Sequence, residues 1–269
     1  MSQARPLSLI TGASAGIGAA FARALAAKKH DLVLTARRVD RLDTLATELR
    51  QQYNCTVTVL PADLADSAAP RALNEMLLQR GLAVDWLINN AGYGVPGTFV
   101  ENEWSTHAEF LQVLLTAPTE LAWHLLPGMR ERGYGRIINV ASLAGHVPGT
   151  AKHTLYAASK AYLIKFSQSL ALESSERGVH VCALCPGFTR SEFHDVTGTR
   201  TLMNQLPAFM WQTAEEVVRE GIDAVERGEA VYITGRVNRA IKTMFKLMPD
   251  QLALRMSARQ ARRYRQHDK

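Results

Sequence analysis

Residues 9–18 read Leu9-Ile10-Thr11-Gly12-Ala13-Ser14-Ala15-Gly16-Ile17-Gly18. Three glycines, spaced G-x-x-x-G-x-G, follow the strand-like run Leu7–Thr11 and open a helix-length stretch near residues 17–28. A phosphate needs close backbone approach, which side chains would block. A helix start adds free N–H groups and the positive end of its dipole. Gly12, Gly16 and Gly18, with Ile17 in the same turn, therefore mark a phosphate cradle, and Ser14 can add a hydroxyl to a pyrophosphate. The competing reading is a tight strand-to-helix turn with no ligand.

Outward from this turn, strand-like and helix-like segments alternate. Strand candidates are Leu7–Thr11, Asp31–Thr35, Thr56–Leu60, Val84–Asn89, Arg136–Ala141, Val179–Cys185 and Val231–Thr234. They are short and rich in Val, Ile and Leu, as strands covered on both faces tend to be. Helices are expected near residues 17–28, 38–52, 67–80, 103–131, 154–177 and 213–227. The alternation predicts an α/β fold, a doubly wound parallel sheet with helices on both faces.

The chain has 269 residues, 47% hydrophobic and 21% charged. That length buries ~70–75% of the unfolded surface, so no disulfide or metal staple is needed, and no metal site is expected. No run nears the ~18 apolar residues of a membrane-spanning helix. The start, Met1-Ser2-Gln3-Ala4-Arg5-Pro6, leads straight into a strand, so no signal peptide is expected. Three cysteines, an odd number, give no disulfide framework and point to a reducing, cytoplasmic setting.

Net charge is +6, unevenly spread. Residues 236–269 carry ten Lys/Arg and two Asp/Glu, and the remainder is net −2. A near-neutral body argues against nucleic acid as a partner. The expected division is a dinucleotide-binding catalytic domain over residues 1–235 and a basic helical extension over residues 236–269. In the extension Val237, Ile241, Met244, Phe245 and Met248 recur at helical spacing until Pro249. Such a helix can dock on its own body or a second subunit. It can also meet an anionic membrane or an acidic partner; docking is the preferred reading.

The second strand ends Leu34-Thr35-Ala36-Arg37-Arg38. An NAD site usually places an acidic residue here to bond the ribose hydroxyls. A carboxylate would repel a 2′-phosphate, whereas a guanidinium binds it as a fork. Arg37 and Arg38 thus favour NADP(H), and Asp40 nearby keeps NAD(H) open. Asp63, with Leu64 beside it, follows the third strand and is placed to meet the adenine amino group; a plain helix cap is the competing role.

Residues 156–160 read Tyr-Ala-Ala-Ser-Lys. Four-residue spacing puts Tyr156 and Lys160 on one helix face. A nearby ammonium favours tyrosinate and should lower the phenol pKa, making Tyr156 an acid/base. Ser142 ends the fifth strand, at the crevice where ligands bind, and its hydroxyl could hold a carbonyl oxygen beside Tyr156.

These segments, with Asn89-Asn90-Ala91-Gly92 and Pro186-Gly187-Phe188-Thr189, resemble the short-chain dehydrogenase/reductase family over about residues 5–235. The resemblance implies a Rossmann-type sheet of seven strands, order 3-2-1-4-5-6-7. It implies that Asn89-Asn90-Ala91-Gly92 stabilises the central sheet, with Asn89, Ala91 and Gly92 at the cofactor. Tyr156 and Lys160 would also border the cofactor, Lys160 through the nicotinamide ribose. Pro186, Gly187 and Thr189 would lie at the nicotinamide end, Thr189 on its carboxamide. One departure stands out. The family usually adds an Asn in the fourth helix that holds a proton-relay water. Leu114 occupies that place here, and no Asn occurs between Glu103 and Ile138.

The expected protein is an NADP(H)-dependent oxidoreductase interconverting a carbonyl and an alcohol on a small apolar substrate, and a homo-oligomer. Phe193, Leu202, Met203, Leu206, Phe209, Met210 and Trp211 argue for the apolar substrate. The alternative is a dinucleotide-binding regulatory or membrane-associated protein with little turnover, favoured by Leu114 and the basic tail. Cys182 and Cys185 should point to opposite sheet faces as core packing, and His107, His124, His146 and His194 read as packing or surface residues.

Overall fold

The computed structural model describes residues 5–151, 154–190 and 207–265. Phe193, His194, Leu202, Met203 and Leu206 lie outside the described residues. The strands are β1 Leu7–Thr11, β2 Asp31–Thr35, β3 Val57–Val59, β4 Trp86–Asn89, β5 Gly135–Val140, β6 Val179–Cys185, β7 Phe188–Thr189, β8 Trp211–Gln212 and β9 Val231–Ile233. The helices, in the same chain order, are α1 Gly16–Ala27, α2 Val39–Tyr53, α3 Ala69–Gln79, α4 Trp104–Leu111, α5 Ala117–Glu131, α6 Thr154–Ser174, α7 Ala214–Glu226, α8 Arg236–Leu247 and α9 Asp250–Arg265.

Seven strands form one parallel sheet in the order β3-β2-β1-β4-β5-β6-β9. This is the expected order; the seventh sheet strand is β9 because the two-residue ribbon β7–β8 intervenes. Strand order reverses between β1 and β4, so a crevice opens at their carboxyl ends. The apolar runs leave β1, β4 and β5 buried from end to end. On one face Phe21 and Leu25 of α1, Leu42 and Leu49 of α2, and Val217 and Ile222 of α7 form the core. On the other, Leu73 of α3, Phe110 of α4, Leu121 of α5 and Leu170 of α6 pack over β1, β4 and β5. Burying a side chain such as Phe21 or Leu121 contributes about 1.5–3 kcal/mol. Cys182 faces the first of these cores and Cys185 a third, with Leu143, Leu163 and Ile233, so the pair is split across the sheet.

The single helix expected near residues 103–131 is interrupted. A π-turn over Gln112–Thr116 separates α4 from α5. Pro118 lies in the first turn of α5. It has no N–H to give the carbonyl four residues back, that of Leu114, so α-helical pairing breaks there. The extension is helical on both sides of Pro249, as its pattern suggests. Ile241 packs against the third core cluster, Asn238 and Ala253 are buried, and Ser257 Oγ donates to Gly149 O at 2.9 Å. The extension is thus docked along the body, while Met244 and Leu247 face outward.

His30, just before β2, gives the fold an acid-sensitive point. It is buried, its Nδ1 is hydrogen-bonded with Ser8 Oγ at 2.8 Å, and it meets Trp86 edge-on at 5.3 Å. Burial pushes its pKa down to about 4. The unfolded chain takes up this proton near pH 6.5 and the folded one only near 4. Stability is therefore lost as pH falls through that window, on the order of 3 kcal/mol. Urea unfolding at pH 7 and near pH 4.5 should show this loss, and His30→Gln should reduce it. An unchanged pH dependence in that variant would contradict the assignment.

Candidate active site

At the glycine turn, Gly18 is buried and a Cβ there would run into Gly12 O, so only glycine lets helix and strand approach this closely. Helix α1 has no capping side chain and no acidic residue in its first turn. Its N–H groups therefore suit an anion. Thr11 Oγ1 accepts from Asn90 N at 2.9 Å and Ala91 N at 3.0 Å, and donates to Ile88 O. Asn90 Nδ2 donates to Thr11 O at 3.0 Å. Thr11 and Asn90 thus tie the glycine turn to the end of β4. The sheet-stabilising role that the resemblance gives Asn90 thus includes this tie, while nothing in the local sequence of Thr11 signals its partners about 80 residues on.

The end of β2 faces the same turn. Arg38 donates to Ser14 Oγ through Nε at 3.2 Å and Nη2 at 3.1 Å. Arg37 Nη1 lies 3.9 Å from Asp63 Oδ2, both well exposed. An exposed pair at that distance is weak, so Arg37 can turn to a phosphate at little cost. Asp63 Oδ1 also accepts from Ala65 N at 3.0 Å, closing a turn rather than capping α3. Leu64 points its side chain into the core. Asp40 sits in the exposed first turn of α2 and is not drawn into the group. The cradle, the uncapped helix start and two arginines at the end of β2 fit a phosphorylated dinucleotide.

Asn89 turns its side chain inward. Its Nδ2 donates to Pro118 O at 3.1 Å and Asn139 Oδ1 at 2.8 Å, and Asn139 Nδ2 donates to Ser167 Oγ. This buried chain joins β4, β5, α5 and α6, the sheet-stabilising part that the resemblance implies. Asn89 Oδ1 is buried without a partner. It borders a cavity of about 10 Å³ lined also by Leu114, Val140 and Pro118. Leu114, 1% exposed, fills the place where the resemblance puts an amide and offers that oxygen no donor.

Ser142 lies two residues past β5 and caps the short helix Leu143–His146, its Oγ accepting from Ala144 N at 3.1 Å. The Ser142 hydroxyl lies close enough to the Tyr156 phenol to favour its ionised form. One turn on, buried Lys160 donates from Nζ to Val140 O at 2.8 Å and stands 5.5 Å from the Tyr156 ring centroid. Ser142, Tyr156 and Lys160 are thus brought together at the carboxyl end of β5. The tyrosine shift runs opposite to the lowering expected from the nearby ammonium. Burial pushes Tyr156 up to about 12, opposed by the Ser142 hydroxyl, and burial pushes Lys160 down to about 8. Desolvation wins because the same packing that assembles the group strips water from both heads.

Pro186, Gly187 and Thr189 follow β6 beside this group. Leu143 N donates to Pro186 O at 2.8 Å, and Thr189 is buried in the ribbon opposite Gln212. Among the histidines, His107 bonds Phe99 O and stacks on Phe99, and His124 lies 3.5 Å from Glu120. His146 is half-buried beside the site, its pKa lowered by burial. No His/Cys/Asp/Glu group suited to a metal occurs among the described residues.

A doubly wound sheet, a phosphate cradle and a Ser–Tyr–Lys group define a dinucleotide-dependent oxidoreductase class. The chain matches the short chain dehydrogenase family over residues 7–200 and belongs to it. Nodulation protein G of Rhizobium sp. (strain N33) is 38% identical over 234 residues, 85% of this chain and 92% of that one. Ketoacyl reductase HetN of Nostoc sp. is 32% identical over 240 residues, 89% of this chain and 82% of that one. A short-chain dehydrogenase from Sphingobium yanoikuyae, solved in complex with NADPH, superposes with a TM-score of 0.79 at 33% identity, covering 91% and 96% of the two chains. The protein is an oxidoreductase of carbonyl and alcohol groups that uses a nicotinamide dinucleotide. Among the described residues no helix is long and apolar enough to cross a membrane.

Proposed function

We propose that the protein is an NADPH-dependent reductase of apolar ketones or aldehydes, with Ser142, Tyr156 and Lys160 as its catalytic residues. The observation that carries this is buried Lys160, its Nζ held on Val140 O at 2.8 Å and 5.5 Å from the Tyr156 ring centroid, with Ser142 next to the phenol. The turn Gly12–Gly18, the ends of β2 and β4, Asp63 and the Pro186–Thr189 segment would hold the cofactor. When bound, the cofactor supplies hydride to the carbonyl carbon. Ala144 N–H fixes the Ser142 oxygen, leaving its proton for the substrate oxygen. Tyr156, still protonated at neutral pH, gives its proton to that oxygen as negative charge develops. Charged Lys160 then steadies the tyrosinate. The NADPH complex of the Sphingobium relative and the arginines at β2 support the choice of dinucleotide. Phe188 and Trp211, 5.8 Å apart, and exposed Phe209 support an apolar substrate.

The test is incubation with NADPH and ketones graded from small and polar to bulky and apolar, with alcohol measured directly. Turnover should rise toward the apolar end. No alcohol from any member would favour a dinucleotide-binding protein without turnover.

The pKa directions set the pH profile. Lys160 loses its charge as pH rises through about 8, while Tyr156 keeps its proton to about 12. Reduction at saturating NADPH should therefore hold through neutrality and fall above about pH 8. A rate still climbing at pH 10 would contradict these roles.

A further inference from the structure

We propose that Asn238, in the first helix of the C-terminal extension, is a positioning residue for the Pro186–Thr189 segment. The inference rests on the reading that this segment holds the nicotinamide end of the cofactor. Asn238 is 4% exposed, and its amide lies flat against Gly187. A Cβ on Gly187 would collide with Asn238 Oδ1, Cγ and Nδ2 together. The amide cannot swing away. Its Nδ2 donates to Thr234 O at 2.8 Å and, more weakly, to Gln212 Oε1 at 3.4 Å.

Gln212 is the other half of the device. It is the ribbon partner of Thr189, and its carbonyl accepts from Arg190 N at 3.0 Å. Its Oε1 accepts from Thr234 Oγ1 at 2.6 Å, and its Nε2 donates to Glu220 Oε1 at 2.9 Å. Glu220 Oε2 in turn accepts from Tyr232 OH and Gly235 N and pairs with Arg239 of the extension at 3.6 Å. A hydrogen-bonded network thus runs from α8 and β9 through Gln212 to the strand that carries Thr189. Asn238 presses on that strand's entry at Gly187. Both routes fix where Thr189 stands, and neither touches the glycine turn or the arginines of β2.

The test separates positioning from general support. Dissociation constants are measured for NADPH, for NADH and for 2′-phospho-ADP-ribose, which lacks the nicotinamide. Thermal melting follows folding. Asn238→Ala should weaken the better-bound dinucleotide about tenfold, the loss of one well-placed hydrogen bond's worth, and leave the fragment unchanged. Gly187→Ala should weaken the dinucleotide more, because its methyl meets a wedged amide. In Asn238→Ala/Gly187→Ala the methyl finds space, so the double variant should bind no worse than Asn238→Ala alone. If Gly187→Ala does not fold, Asn238→Ala, which only removes atoms, decides by itself. Equal weakening of dinucleotide and fragment, no weakening of either, or additive losses in a folded double variant would each overturn the proposal. Failure of the unmutated protein to bind NADPH and NADH would overturn the underlying reading as well.

Discussion

Tyr156→Phe is expected to cut carbonyl reduction by about 10²–10⁴-fold, the usual worth of general acid catalysis, with cofactor binding preserved. The phenylalanine ring keeps the packing of Tyr156 against the core cluster that holds Phe110, Leu121 and Leu170. What is lost is the phenol hydroxyl beside Ser142, the proton donor proposed for the substrate oxygen. Lys160 keeps its bond to Val140 O, so the local fold should hold. Near-normal alcohol formation by a folded Tyr156→Phe would refute the assignment.

Replacing Arg37 and Arg38 together by alanine should erase most of the preference for NADPH over NADH, a change of at least about tenfold in the ratio of dissociation constants. Charge-assisted bonds to a 2′-phosphate are worth more than an exposed ion pair or a bond to a neutral hydroxyl. Arg37 pairs weakly with exposed Asp63, and Arg38 reaches the Ser14 hydroxyl in the same glycine turn. NADH, which has no phosphate there, should bind the variant about as before. Equal dissociation constants for the two dinucleotides in the unmutated protein would end the idea.

Local pattern made most of the fold legible. Short apolar runs alternating with amphipathic stretches fix a parallel sheet because each strand must be buried on both faces. The Gly12–Gly18 turn and the Tyr156–Lys160 spacing are read from neighbours a few residues apart. Of what stayed hidden, one feature has a local cause and the rest depends on distant partners. The π-turn at Gln112–Thr116 follows from Pro118, whose effect is easily missed inside a long helical pattern. The upward shift of Tyr156 comes from burial by several elements at once, which spacing does not report. The contact of Asn238 with Gly187 joins the extension to a loop before it, and neither residue's local sequence signals the other. The bonding of Thr11 to Asn90 and Ala91 is of the same kind.

The most direct measurement is label transfer in the reduction itself. NADPH deuterated at the reactive C4 position is mixed with the best ketone of the panel, and the alcohol is analysed by mass spectrometry. Carbonyl reduction at the Ser142–Tyr156–Lys160 group predicts one deuterium on the carbon that bears the new hydroxyl, lost with Tyr156→Phe. Alcohol without the label, or labelled alcohol formed equally well by Tyr156→Phe, would contradict it.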